Sequence, residues 1–86
     1  NLSKSNSFNV YPNPSYGYVQ IQSIEPLISN KSIIISILNN LGCEVDEFNL
    51  TQTSNSIDIS NYSSGLYFFV IKDQGQILET HKVMVE

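Results

Sequence analysis

Apolar and polar side chains alternate with a period of two along most of this chain, and short clusters of Asn, Ser, Gly and Pro interrupt the alternation. Period two is the signature of strands with one buried face. Residues 1–7 are polar and aperiodic and read as the end of a linker. Residues 8–11 form a short extended segment stopped by Pro12-Asn13-Pro14, where two prolines remove two backbone donors. Tyr16-Gly17 closes that turn. Residues 18–22 then alternate cleanly, with Val19 and Ile21 on one face and Tyr18, Gln20 and Gln22 on the other. Residues 23–32 carry Pro26, Asn30 and Lys31 and read as a connection.

The second half continues in the same way. Residues 33–39 predict a strongly buried strand, with Ile33, Ile35 and Ile37 on one face and Ile34, Ser36 and Leu38 on the other. Asn39-Asn40-Leu41-Gly42 is turn chemistry, and residues 43–50 resume an extended stretch, so the two strands predict a hairpin. There Cys43, Val45 and Glu47 oppose Glu44, Asp46 and Phe48. Residues 51–56 read as a polar loop, residues 57–60 as a short strand, and residues 61–65 as a turn. Gly65 is expected to hold a positive φ or to admit a close neighbouring backbone.

Residues 66–72 are the most apolar segment, with Tyr67, Phe69 and Ile71 facing one way and Leu66, Phe68 and Val70 the other. Such a strand is either central in its sheet, with loops over its second face, or it offers a docking face. Asp73-Gln74-Gly75-Gln76 predicts a hairpin turn, and residues 77–85 the last strand. If that strand lies near an edge, its backbone can pair with a partner strand. Seven short strands without a helix predict an all-β antiparallel sandwich or a small barrel. The expected core is Tyr67, Phe69, Ile71, Ile35 and Ile37, with Val19 and Ile21 opposite.

Composition sharpens this. The 86 residues suit one domain, and they contain 11 Ile and 6 Val but no Ala, Arg or Trp, which disfavours a helix bundle. Asn and Ser supply 23 positions, in keeping with many turns. The charged share of 14% is too low for a solvating disordered tail. Four Lys against eight carboxylates give a net charge of −4 with no basic cluster, which argues against nucleic acid and anionic membrane surfaces as partners. No apolar run approaches the roughly 20 residues that span a bilayer as a helix. Without an initiator Met or a signal-peptide pattern, the chain reads as a domain of a longer precursor.

Candidates for chemistry are few. Cys43 is the only cysteine and is expected to be a small buried strand residue, while His81 is expected on the exposed side of the last strand. A Cys43/His81 dyad has no third orienting residue marked by a motif. Glu44, Asp46 and Glu47 read as a solvated polar face, with Glu44 and Asp46 on the same side. No metal-ligand spacing and no phosphate-binding glycine loop is present, although loop Asn and Asp side chains leave room for Ca²⁺. Asn1, Asn30, Asn49 and Asn61 begin N-glycosylation patterns that an Asn- and Ser-rich composition produces by itself.

The order of the punctuated segments carries more. Phe8-Asn9-Val10-Tyr11-Pro12-Asn13-Pro14 is followed by Gly17 and an alternating strand, then by the turn ending Leu41-Gly42. Later come Gly65-Leu66-Tyr67 at the start of an apolar strand and a closing Lys82-Val83-Met84-Val85-Glu86. In this order, over residues 8–86, the chain resembles the C-terminal sorting domains of type IX secretion system cargo proteins of Bacteroidota. Two departures are visible: Ser63-Ser64 stands where Pro or Ala often precedes the glycine, and Cys43 stands where a basic residue often follows the turn.

The resemblance implies a seven-stranded antiparallel Ig-like β-sandwich and an address label in place of an enzyme, with no cofactor. It implies recognition by the outer-membrane translocon and its shuttle protein. It further implies cleavage by a sortase-like cysteine peptidase, with the cargo anchored at the cell surface or released after passing through the periplasm and outer membrane. Residues 1–7 are then the linker from an N-terminal cargo domain. The positions that match the family pattern, and so become recognition candidates, are Pro12, Asn13, Pro14, Gly17, Leu41, Gly42, Gly65, Tyr67, Lys82, Val83 and Val85. The competing expectation is a carbohydrate-binding or adhesive β-sandwich module using Tyr16, Tyr18 and Tyr62 as stacking platforms, weakened by the absence of Trp.

Overall fold

Seven strands form in the order the alternation predicts. They are β1 (Phe8–Tyr11), β2 (Tyr18–Ser23), β3 (Ile33–Leu38), β4 (Glu44–Asn49), β5 (Ser54–Asp58), β6 (Gly65–Asp73) and β7 (Gln76–Val85). The structure, a computed structural model, describes residues 8–24 and 33–86. The linker expected over residues 1–7, most of the connection at 23–32, and the glycosylation patterns at Asn1 and Asn30 lie outside the described residues. The strands make two antiparallel sheets, β1-β2-β5 and β4-β3-β6-β7. Two sheets of this order packed face to face are an Ig-like sandwich, and the barrel alternative falls away.

Each sheet turns its aliphatic face inward. Val19, Ile21 and Ile57 from one sheet meet Ile35, Ile37, Phe69, Ile71 and Val83 from the other. Phe69 is the largest fully buried side chain, and Tyr67 is buried beside it. The Tyr67 hydroxyl donates to the Ser63 carbonyl at 2.9 Å, so the one polar atom of the ring is satisfied within the turn that precedes β6. A tyrosine near the start of this strand bonding back a few residues is the tyrosine corner of Ig-type sandwiches.

The hairpins follow from their turn residues. Between β3 and β4 the Asn39 side-chain oxygen accepts from the amides of Leu41 and Cys43, while Gly42, at φ 85°, donates to the Asn39 carbonyl. Between β6 and β7, Gln74 and Gly75 both have positive φ, the two-residue geometry that fits the twist of a hairpin. Gly65 has φ 146° with open space over its Cα. The expected positive φ is present, and the alternative of a close backbone is not.

Several expectations are corrected. Cys43 is exposed and sits in the turn, because β4 begins one residue later. β5 begins at Ser54, so residues 54–56 are strand and not loop; an edge strand paired only to β2 tolerates Ser and Asn there. Glu44 and Asp46 do not share a face. An irregularity at Val45 lets Glu44 pair with Leu38 and Asp46 with the core-facing Ile37. His81 is half-buried, with its Nε2 2.7 Å from the Glu79 carboxylate, and not exposed. Tyr62 is half-buried against the core, its ring 5.2 Å from that of Tyr67, and not an exposed platform.

With Phe69 fully enclosed, Phe69→Ala is expected to cost about 3–5 kcal/mol. Chemical denaturation checks it; a loss below about 1 kcal/mol would contradict this core.

Candidate recognition site at one end of the sandwich

Antiparallel pairing sorts the connections into two sets. At one end lie the 12–17 segment, the 39–43 hairpin tip, the 59–64 turn and the last residues of β7. At the other end lie residues 50–53 and the Gln74-Gly75 turn. Pro12, Asn13, Pro14, Gly17, Leu41, Gly42 and Gly65 all belong to the first end, and Tyr67, Val83 and Val85 pack just inside it. Register confirms the placement. Leu38, Phe68 and Lys82 form one row across the sheet, and Gly65 pairs with Val85 beyond it.

The β1–β2 connection and the end of β7 are fastened together there. The Asn13 side chain donates from Nδ2 to the Lys82 carbonyl at 3.1 Å, and its Oδ1 accepts from the Met84 amide at 2.9 Å. Ser15 extends the pattern through its backbone: its amide donates to the Met84 carbonyl at 2.8 Å, and its carbonyl accepts from the Glu86 amide at 3.0 Å. Ser15 is fully buried, and its hydroxyl donates to the Pro12 carbonyl. The bonds Tyr11–Pro12 and Asn13–Pro14 are both cis. A side chain and a short bridge thus occupy the outer edge of β7, where an unpaired strand would show bare donors and acceptors.

β7 is an edge strand, but Asn13 and Ser15 cover part of that edge. Its side chains divide cleanly. Val83 and Val85 are buried anchors, while Lys82 and Met84 are exposed on the opposite face. At the hairpin tip Leu41 is 82% exposed, an apolar side chain held out into solvent by the Asn39-centred turn. The second face of β6 is partly covered: Val70 is buried, and Leu66 and Phe68 are half-buried. Beside Val70, on β3, Ser36 is buried with no partner for its hydroxyl among the described residues.

Electrostatics at this end centre on Tyr62. Its hydroxyl donates to Asp46 Oδ2 at 3.2 Å. Burial, then the Asp46 charge, push the Tyr62 hydroxyl well above the ordinary tyrosine range. Asp58, by contrast, is exposed, and hydrogen bonds from the Ser60 hydroxyl and backbone hold its carboxyl below the usual range. Cys43 stands in the 39–43 turn, whereas His81 lies within β7 with Glu79 as its partner. Among the described residues no group of His, Cys, Asp and Glu is placed to hold a metal ion. No helix among them is long and apolar enough to cross a membrane.

The profile of the secretion system C-terminal sorting domain family matches residues 9–86. The chain belongs to that family. The sorting domain is thus a type IX secretion signal by descent, and this is not an enzyme family. Among solved structures it is similar to the rat CD45 extracellular region, domains d3-d4, with a TM-score of 0.63 and 17% identity over 92% of the sorting domain and 47% of that chain. The sorting domain spans about half the length of that structure, and the likeness shows the Ig-like fold alone. No curated protein sequence matches it.

Sequence reasoning missed the long-range role of Asn13. An Asn between two prolines signals a turn, and nothing local announces partners 69 and 71 residues away. Asn13→Ala removes two hydrogen bonds from an exposed site and is expected to cost about 1–2 kcal/mol in denaturation. A stability equal to the parent's would show that the clasp contributes nothing. For Tyr62 the sign follows from a raised pKa: its contribution is present below about pH 10 and lost as pH rises further. Alkaline titration of tyrosinate absorbance should show one late tyrosine that Tyr62→Phe removes; no change in the curve would contradict the burial described.

Proposed function

We propose that the sorting domain is read, folded, at the end where its motif residues gather. The observation that carries this is their distribution. Connections at one end of the sandwich hold Pro12-Asn13-Pro14, Gly17, Leu41-Gly42 and Gly65, and the described connections at the other end hold none of the family positions. Core packing alone would not segregate them so. Lys82 supplies an exposed charge there, and Leu41 an exposed apolar contact, the mixture that suits a protein partner.

In this reading the outer-membrane translocon and its shuttle protein recognise the clasped end, and the N-terminal cargo follows. A sortase-like cysteine peptidase then cuts ahead of the domain, through the 1–7 linker, and the cargo is anchored at the surface or released. The family supports the export signal itself; the cleavage and anchoring steps rest on resemblance.

A reporter fused ahead of the domain in a type IX-competent bacterium tests it. Lys82→Ala should leave melting within about 1 kcal/mol of the parent, because an exposed charge contributes little, yet reduce the surface fraction of reporter. Deleting residues 83–86 should impair export and stability together. Normal export after that deletion, or equal export in a strain lacking the translocon, would overturn the proposal.

A further inference from the structure

The outer face of the β1-β2-β5 sheet differs from an ordinary solvated face. Its outward positions include Tyr11, Tyr18, Gln20, Gln22, Ser54 and Asp58, and Asp58 is the only charged residue among them. Protein surfaces usually interleave Lys and Glu. Both lysines among the described residues, Lys72 and Lys82, belong to the other sheet.

Two features pre-organise this face. Tyr11 pairs directly with Gln20, and Tyr18 lies two residues before Gln20, so the tyrosines are diagonal cross-strand neighbours about 7–8 Å apart. They are 42% and 49% exposed. The Tyr11 hydroxyl donates to the Gln22 side-chain oxygen at 3.2 Å, which ties the partly exposed ring to the neighbouring strand. Gln20 donates from its side-chain amide to the Ser54 hydroxyl, tying a second amide to the neighbouring strand. Two tyrosine rings, tethered amides, a hydroxyl and one carboxylate at the Tyr18 end thus share one face of the sheet, Tyr18 pairing with Asp58.

We infer that the outer face of the β1-β2-β5 sheet binds an uncharged glycan chain, with Tyr11 and Tyr18 stacking on successive sugar rings and Gln20, Gln22 and Asp58 bonding their hydroxyls. A pyranose offers a C–H face to a ring and hydroxyls at its rim, which matches a rigid amphipathic tyrosine flanked by polar groups. A protein partner fits less well, because its interface needs an apolar centre and the outward positions within the three strands carry no aliphatic side chain, the exposed Ile24 lying beyond the end of β2. Charge favours a neutral ligand: a domain of net −4, with no cation on this face among the described residues, repels anionic glycans. The inference does not rest on the sorting role, which concerns the end of the sandwich and not this face.

Cellopentaose, xylopentaose and mannopentaose at millimolar concentration, with polygalacturonate as the anionic control, are titrated into the isotope-labelled domain and followed by NMR. At least one neutral chain should shift resonances of Tyr11, Tyr18 and Gln20 selectively. Tyr18→Ala should weaken its binding at least tenfold, and Tyr11→Phe, which loses only the tether to Gln22, several-fold, with melting unchanged in both. Absence of shifts with all three neutral chains, shifts confined to other surfaces, or binding of polygalacturonate alone would overturn the inference. So would unchanged affinity in a folded Tyr18→Ala variant.

Discussion

The clasp between Asn13, Ser15 and the outer edge of β7 is the contact on which this sandwich's architecture turns. The domain has one cysteine and no disulfide to join its sheets. β1 and β2 belong to one sheet and β7 to the other, and the four hydrogen bonds of the clasp tie the β1–β2 connection to the end of β7. They cover an exposed strand edge, place Val83 and Val85 over the core, and leave Lys82 and Met84 facing out. An edge finished by a side-chain amide is covered without being committed to a full strand pairing.

Behind the clasp, the fold is held by ordinary packing. β6 lies between β3 and β7 and sends Tyr67, Phe69 and Ile71 into the space between the sheets. Tyr67 then fixes the turn ahead of it through Ser63, and Tyr62 leans on the Tyr67 ring while bonding Asp46. That chain of contacts runs from the core to the same end as the clasp. The end surface is therefore backed by packed and hydrogen-bonded side chains.

Much of this was legible in the sequence because it is local. The continuous apolar run in residues 66–72 marked β6, and Asn39 to Gly42 marked its own turn. The recognition candidates could be named from their order, yet their gathering at one end could not, since it depends on how the sheets pair. Local irregularities also escaped. The displaced Val45 puts Asp46 on the inner side, and Leu78 is similarly left over between Ile77 and Glu79 opposite β6. The polar start of β5 carried no apolar alternation to reveal it. Cys43 misled for a simple reason: a residue type usually buried was read one position inside a strand that begins after it.

Amide hydrogen exchange along β7 tests the clasp most directly. Thr80 and Met84 both point their backbone groups toward the outer edge, by the alternation of an antiparallel pair. Met84 and Glu86 donate to Asn13 and Ser15, while Thr80 has no such partner among the described residues. The account predicts strong protection at Met84 and Glu86 and fast exchange at Thr80, with Met84 losing its protection in Asn13→Ala. Exchange at Met84 and Glu86 as fast as at Thr80 in the parent domain would contradict it.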